Sequence, residues 1–399
     1  MSNKIVYIHL ALIIIISLAL RILWLDKIPT GITGDELDYV LNAKAVFLTG
    51  KDLSGMWSPF SLTTPPYEYP KAELPSLIVS PFIGPFNFSL LNARLPYVVF
   101  SILIIIVLYC IGLKLFGKNQ AFTIGLVASI NPWSIYFGRT SFEAPLAILF
   151  FLFSFYILLI TKGRRILFAF PFLFIAFYSY IGTKIVFIPF ILITLFFVWK
   201  HLNRNKYGLQ YFILLFLSSL LVLFFIISTS VKSDSRLSEI SILNLDQITK
   251  SVDVARKNSI SSPLNNIFLN KTSIFAGDSV NKFLGFYSTE FLFLHGDTRS
   301  TFSVWDHGMF YYLDLIFLII GFYAIYRKYK PTFWLLLGLL LIAPLPSVLS
   351  TVGTSYPTRS ALAFPFLIIL IGLGIWYSIT SLKKYKKAFI TSLILLYII

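Results

Sequence analysis

The chain has 399 residues, of which 57% are hydrophobic and 18% aromatic, and its mean hydropathy is +0.82. These values exclude a soluble globular domain. The formal charge of +16 does not require a nucleic acid, because lysine and arginine accumulate in the inner loops of multi-pass membrane proteins. We therefore expect a lipid bilayer around the chain and no nucleic-acid partner.

Apolar runs long enough to cross a hydrocarbon core of about 30 Å as helices recur along the chain. Two long segments, 26–93 and 229–309, interrupt the series. No internal repeat is visible. The runs predict spanning helices at 5–25, 94–116, 119–137, 141–160, 165–180, 183–200, 208–228, 310–327, 331–350 and 359–379, and a further one that begins near 388.

Lysine and arginine predict the orientation. With a cytoplasmic N-terminus, the short outer loops carry only Arg139, Lys184 and Arg359, whereas all 17 acidic residues lie outside or at the outer ends of helices. We therefore predict a multi-pass plasma- or inner-membrane protein whose chemistry takes place on the extracytoplasmic face. Nucleotide-activated donors are absent there, so a phosphate-linked donor would be a lipid.

The first outer segment begins with "GITGDELDYVLNAKAVFLTGKD", which predicts a short amphipathic helix. Asp35 and Glu36 fall in its first turn, where a helix N-terminus favours negative charge. A helix lying on the bilayer surface is indicated by the helical period of Leu37, Val40, Leu41 and Ala45. The prolines of the following "YPKAELPSLIVSPFIGPFNF" argue against a straight spanning helix and favour an interfacial or re-entrant segment.

From the first outer segment onward, the chain resembles glycosyltransferases of the GT-C fold that use polyprenyl-phosphate sugars. The similar groups are the protein O-mannosyltransferases and lipid A aminoarabinose transferases of glycosyltransferase family 39. The resemblance rests on the "DE" pair after the first helix, on "YPK-A-x-L-P" and "F-x-x-L-N-x-R-L-P", and on four later segments in the same order. These are "NPWSIYFGRTSFEAPLA" (131–147), "SYIGTKIVFIP" (179–189), "FLFLHGDTRSTFSVWDHGMFYYLDLIFLIIGFYAIYR" (291–327) and "YPTRSALAFPFLIILIGLGI" (356–375).

The resemblance implies an all-α polytopic membrane protein with a single GT-C domain over 1–399. About eleven transmembrane helices would form the bundle. Two extracytoplasmic loops would carry amphipathic interfacial helices. The chain stops within the apolar run "FITSLILLYII", so we expect a C-terminally truncated bacterial member that lacks the extracytoplasmic domain of its relatives.

The resemblance also implies inverting transfer of a sugar from a polyprenyl phosphate to an acceptor hydroxyl on a protein, lipid or glycan. Asp35 matches the carboxylate that acts as catalytic base. Neighbouring residues on a helix point about 100° apart, so Glu36 has another role, in orienting the acceptor or in the structure. The alternative for Asp35 is that it caps the helix N-terminus.

The leaving lipid phosphate requires cations. Lys71 matches the lysine on the phosphate side in the family, and the outer-loop cations Arg139, Lys184 and Arg359 join it as candidates. The alternatives are a snorkelling lysine or neutral ion pairs, and Arg139 is spaced to pair with Glu143. The supporting candidates are Asp38, Glu143, Tyr180 and His307.

The group His295, Asp297, Asp306 and His307 has no specific metal-ligand spacing. The sequence requires no cofactor, and it leaves a divalent metal ion open. Asp38 stands where the aminoarabinose transferases carry an arginine, which puts a lipid A acceptor in doubt.

Two other classes of protein remain as alternatives. A transporter or flippase of lipid-linked saccharides would carry charged residues near helix midplanes, and these are nearly free of charge here. A non-catalytic membrane subunit would use the outer loops only to bind a partner.

Overall fold

In a computed structural model of the chain, the structure describes residues 3–55, 62–63, 71–72, 74–202, 207–232, 245–260, 262, 264–297, 300–304, 306–350 and 354–398. Helices dominate these residues, and one short antiparallel pair of strands joins them. The strands are β1 (Leu62–Thr63) and β2 (Lys71–Ala72).

The first half of the helices runs from the N-terminus to the second outer segment. They are α1 (Asn3–Ile22), α2 (Gly34–Thr49), α3 (Leu74–Ile83), α4 (Leu90–Leu115), α5 (Lys118–Ile130), α6 (Pro132–Phe137), α7 (Ala144–Ile160), α8 (Ala169–Ser179), α9 (Lys184–His201) and α10 (Gly208–Lys232).

The second half begins in the second outer segment. These helices are α11 (Leu245–Lys257), α12 (Asn265–Phe268), α13 (Lys271–Phe286), α14 (Asp314–Lys328), α15 (Lys330–Ile342), α16 (Leu345–Val348), α17 (Tyr356–Arg359), α18 (Ala363–Ser381) and α19 (Lys386–Ile398).

Within the described residues, six helical stretches are long and apolar enough to cross a membrane. This number is smaller than the predicted set of spans. Two shorter apolar helices, α3 and α7, lie among them. The six stretches are Lys4–Ile22, Leu90–Leu115, Lys184–His201, Gly208–Ser228, Lys330–Val348 and Ala363–Ser381.

Three predicted spans are interrupted in the structure. The span 331–350 divides into α15 and α16. The span 119–137 divides into α5 and α6 at Asn131, because Pro132 has no N–H to donate and the Asn131 side chain instead accepts from Ser134 N at 3.0 Å. The span 165–180 begins as a 3₁₀ turn over Gly163–Phe168, and its α-helical part is only α8. The break at Asn131 is followed, after α6, by the loop that carries Arg139 and Glu143.

Helix α18 is the most deeply buried of the spanning helices and packs against α14 and α5. Glycine allows the α14–α18 contact to be close. A Cβ atom at Gly321 would clash with the Leu370 carbonyl, and one at Gly374 would clash with the Phe317 carbonyl. Small residues permit this kind of close backbone approach between membrane helices.

The predicted amphipathic helix exists as α2, and it packs against α3. Its buried face differs from the predicted one, since Leu37, Leu41 and Ala45 are only partly buried. Packing on α3, rather than a lipid surface alone, determines which face is covered. The buried residues of α2 are Glu36, Tyr39, Val40, Ala43 and Val46.

Candidate active site

The N-terminus of α2 is closed by a capping box. The Thr33 hydroxyl accepts from Glu36 N at 3.2 Å, and the Glu36 carboxylate accepts from Thr33 N at 3.1 Å. Asp35 lies in the same first turn, and its side chain is exposed. The capping alternative therefore applies to Thr33, and the Asp35 carboxylate is presented at the surface of the site.

Glu36 is buried and occupies a central position between three parts of the chain. Besides the cap, its Oε1 accepts from Ser141 N at 2.8 Å, and its Oε2 lies 3.8 Å from Arg94 Nη2. Its side chain is 2% exposed, so both oxygens are committed to the protein. This geometry favours the structural alternative for Glu36 over an acceptor-orienting role.

Arg94 is the buried partner of Glu36, and its side chain has no exposed surface. It donates to Leu25 O at 3.1 Å, to Pro29 O at 3.0 Å and to Gly31 O at 2.5 Å. A buried ion pair compensates the loss of hydration only when such hydrogen bonds surround it. Arg94 thus fastens the segment before α2 to α4.

Arg94 is not among the site residues predicted from the sequence, although it is the arginine of the "F-x-x-L-N-x-R-L-P" segment. The available signal was its charge at the beginning of a long apolar helix, where an ionisable side chain is costly.

Arg139 does not face an open site. Its guanidinium donates to Leu20 O at 2.8 Å, to Leu23 O at 2.8 Å, and to Trp24 O and Ile28 O at 3.1 and 3.0 Å. These carbonyls lie at and beyond the C-terminal end of α1, where helix carbonyls lack intrahelical partners. Each guanidinium nitrogen has a backbone acceptor. Arg139 therefore secures the end of α1, and this geometry favours a structural role over the predicted contact with the donor phosphate.

A second carboxylate faces α2 from the start of α7. The Tyr39 hydroxyl hydrogen-bonds to Glu143, which is partly buried. Tyr39 lies four residues after Asp35, hence on the same side of α2. Burial raises the pKa of Tyr39 well above its usual value, and the charges of Glu143 and Asp35 raise it further. Tyr39 is therefore a neutral hydrogen-bond donor at physiological pH.

Tyr180 connects this group to the opposite wall. It is buried at the end of α8 and hydrogen-bonds to Thr358. It also lies within electrostatic range of Glu143, Arg359 and Asp35. Four distant parts of the sequence, carrying Asp35, Glu143, Tyr180 and Arg359, thus come together. We call these four residues, with Tyr39, the carboxylate–arginine cluster.

Arg359 is the cation of this cluster. It is partly buried at the end of α17 and donates from Nη1 to the Ser350 hydroxyl. Arg359 and the carboxylates of Asp35 and Glu143 therefore all lie within electrostatic range of one side chain, that of Tyr180. The fork-shaped guanidinium of Arg359 matches the oxygens of a phosphate group.

The two lysine candidates differ in what the structure describes. Lys71 pairs with Thr63 through the strand register of β2, and its side chain lies outside the described residues. Lys184 begins α9, and its Nζ donates to Phe177 O at 2.6 Å. The rings of Phe177 and Phe225 lie 4.8 and 4.9 Å from the same atom. This ammonium group therefore lies among aromatic rings at the end of α8.

The remaining candidates lie at the edge of the cluster or apart from it. Asp38 is partly buried on α2. His307 binds its neighbour's carbonyl, Gly308 O, at 2.7 Å, and its ring contacts Tyr311. His295 pairs with Asp306 at 2.5 Å in an exposed position. Within the part of the chain that the structure describes, no group of three or more His, Cys, Asp or Glu residues could hold a metal ion.

Neither a protein-family model nor a curated protein matches the chain. Solved structures do. The archaeal oligosaccharyltransferase AglB from Archaeoglobus fulgidus, in complex with an inhibitory peptide and a dolichol-phosphate, has a TM-score of 0.54 at 16% identity over 97% of this chain and 52% of its own. ArnT from Cupriavidus metallidurans, bound to undecaprenyl phosphate, has a TM-score of 0.54 at 14% identity over 94% of this chain and 60% of its own.

The chain thus spans about half the length of AglB and 60% of ArnT. Identities of 16% and 14% show the architecture and not the substrate. Both matched proteins are glycosyltransferases of the GT-C fold. The chain is therefore a polytopic membrane protein with the GT-C fold.

Proposed function

We propose that this protein is an inverting glycosyltransferase that moves a sugar from a polyprenyl phosphate to an acceptor hydroxyl. The observation that carries the proposal is the carboxylate–arginine cluster. Asp35 is exposed in the first turn of α2, and Arg359 and Glu143 share with it the electrostatic surroundings of Tyr180. A base and a phosphate-binding cation in one site are what this reaction needs.

In the proposed reaction, Asp35 accepts the proton of the acceptor hydroxyl. The hydroxyl oxygen forms a bond with the anomeric carbon, while the bond from that carbon to the phosphate oxygen breaks. The electron pair of the broken bond leaves with the polyprenyl phosphate. Attack opposite the leaving group inverts the anomeric configuration in one displacement.

Arg359 is proposed to bind the phosphate of the donor, since its guanidinium lies in the cluster. Lys71 and Lys184 are proposed to add positive charge on the phosphate side. Glu143, held by the Tyr39 hydroxyl, is proposed to orient the acceptor. Comparing transfer rates with a chelator and with added Mn²⁺ tests whether a metal ion takes part in the reaction.

The lipid nature of the donor is supported by two independent arguments. AglB and ArnT, which share the fold, were solved with dolichol-phosphate and undecaprenyl phosphate, respectively. The second argument is that all acidic residues fall on the side of the membrane that charge counting predicts to be extracytoplasmic. Nucleotide-activated donors are absent on that side, so a phosphate-linked donor would be a lipid. We propose that the site opens on that face of the plasma or inner membrane.

The test is transfer from a panel of radiolabelled polyprenyl-phosphate sugars by the purified protein in proteoliposomes. We expect Asp35→Asn to lower the rate by a factor on the order of 10²–10⁴, the usual contribution of a general base. Asp26→Asn is the matched control, because Asp26 is an exposed carboxylate at the start of the same outer segment.

Full activity of a folded Asp35→Asn protein would overturn the assignment of the base. Movement of the labelled lipid across the membrane without sugar transfer would favour a flippase. Activity only after adding a partner protein would favour a membrane subunit.

A further inference from the structure

The second outer segment carries an apolar surface that the proposed reaction does not use. It lies between the end of α11 and the start of α13, and we call residues 256–271 the tip. Residues 261 and 263 of the tip lie outside the described residues. Four apolar side chains of the tip are largely exposed, with Ile260 at 90%, Leu264 at 56%, Ile267 at 64% and Phe268 at 67%.

These side chains do not belong to a membrane-spanning helix. Within the described residues, the candidate spans end at Ser228 and resume at Lys330. Contiguous exposed apolar side chains are rare on surfaces that remain in water. Something apolar is therefore expected to cover the tip.

The tip stands away from the helix bundle. α13 has 16 residues, which makes it about 24 Å long. Its C-terminal end is docked, since Phe286 is fully buried and Lys282 Nζ donates to Ser350 O at 2.8 Å. The tip lies at the opposite, exposed end of this helix.

The docked end of α13 contacts the segment that leads to Arg359. The Tyr356 hydroxyl donates to Lys282 O at 2.8 Å, and Ser350 accepts from Arg359. α13 therefore joins the segment that carries the cation of the carboxylate–arginine cluster. The charge pattern of the sequence predicts that the tip lies on the same, extracytoplasmic side of the membrane as that cluster.

The charges around the tip indicate what covers it. The stretch 254–277 contains the cations Arg256, Lys257 and Lys271 and no carboxylate. All three cations are exposed. Arg256 also donates to Leu269 O at 2.9 Å, which closes the tip on itself. Interfacial segments bind bilayers through buried apolar side chains, and flanking cations add electrostatic attraction where the lipids are anionic.

We propose that the tip inserts Ile260, Leu264, Ile267 and Phe268 into the outer surface of the bilayer, with Lys257 and Lys271 on the phosphates of anionic phospholipids. This inference rests on the exposed apolar side chains and cations of the tip, and it does not require the proposed sugar transfer. It assigns an anionic-lipid site to a part of the protein that has no role in the proposed chemistry.

The chain has one cysteine, Cys110, so a Cys110→Ala background allows a single fluorescent probe to be placed. An NBD label on Phe268→Cys reports the tip, and one on Asn281→Cys is the control, because Asn281 is exposed on α13 nearer the docked end. Both proteins are placed in nanodiscs of phosphatidylcholine with or without phosphatidylglycerol, together with a shallow doxyl-lipid quencher.

We expect the probe at 268 to be quenched at least about twofold more than the probe at 281 in anionic nanodiscs. Lys257→Gln together with Lys271→Gln should reduce this quenching to its level in neutral nanodiscs. A probe at 268 quenched no more than the control would overturn the proposal. Equal quenching in neutral and anionic nanodiscs would overturn the anionic-lipid part of it. Shielding from aqueous quencher without lipid quenching would point to a protein partner and would also overturn it.

Discussion

The two outer segments are attached to the protein in opposite ways. The segment 25–36 is bound to α4 and to the loop at Ser141 by buried polar side chains, chiefly those of Arg94 and Glu36. The tip of the second segment lies at the end of α13 opposite the docked Phe286, and its apolar side chains are exposed. A segment proposed to place a catalytic carboxylate needs fixed geometry, whereas a segment proposed to meet a fluid bilayer does not.

Among the substitutions that test this difference, we expect the largest effect on stability at Arg94. Arg94→Leu leaves the Glu36 carboxylate buried without its cation, so we expect a loss of about 3–5 kcal/mol in stability. Thermal unfolding in detergent measures it. The double variant Arg94→Leu with Glu36→Leu should recover part of the loss, because it leaves no unpaired buried charge. An unchanged unfolding temperature for Arg94→Leu would show that the buried pair does not hold the first segment.

The two outer arginines provide a second contrast. We expect Arg359→Gln to raise the KM for the polyprenyl-phosphate donor by about thirtyfold, corresponding to about 2 kcal/mol for a charge-assisted hydrogen bond. Arg139→Gln should instead lower thermal stability, because it removes donors from the end of α1. Steady-state kinetics and unfolding scans on both variants separate the two roles. A raised KM for Arg139→Gln and a loss of stability for Arg359→Gln would restore Arg139 as the residue that binds the donor phosphate.

Tyr39→Phe should have a smaller effect on transfer. It removes one hydrogen bond to Glu143, which is worth about 1 kcal/mol or roughly fivefold in rate.

The raised pKa of Tyr39 also predicts how this effect depends on pH. Any stability that the neutral hydroxyl confers is fully present below the usual tyrosine pKa, and it is lost as the pH rises through the raised value. The rate ratio of native protein to variant should therefore be flat between about pH 6 and 9. A ratio that changes in this range would mean that Tyr39 itself titrates.

Polar substitutions in the tip should have the smallest effect on stability. We expect Ile260→Ser and Phe268→Ser to change the free energy of unfolding in detergent by less than about 0.5 kcal/mol, because both side chains are exposed. Unfolding scans beside Arg94→Leu make the comparison direct. A loss similar to that of Arg94→Leu would mean that the tip is packed against the protein.

The sequence predicted the parts of the fold that depend on local patterns. The composition indicated a polytopic helical membrane protein, and the first-turn acids of α2 were expected from "GDELDY". The collinear motifs indicated the GT-C fold, which the solved structures confirm. The break at Asn131–Pro132 was readable as a helix stop, but the surrounding apolar run concealed it.

The sequence predicted which residues belong to the candidate site better than it predicted the role of each residue. Asp35, Glu143, Tyr180 and Arg359 were selected separately, and the fold brings them together. Charge alone did not separate Arg139 from Arg359, because only tertiary structure shows which guanidinium meets backbone carbonyls. Arg94 was overlooked because its partner Glu36 lies 58 positions earlier in the chain.

The most direct test of the account is the anomeric configuration of the product, determined by NMR after transfer from a donor of known configuration. Direct attack by a hydroxyl that Asp35 has deprotonated predicts inversion, and with Asp35→Asn the product should form more slowly by a factor on the order of 10²–10⁴. Retention of configuration would indicate a covalent sugar–enzyme intermediate, and it would contradict the role of Asp35 as a base in a single displacement.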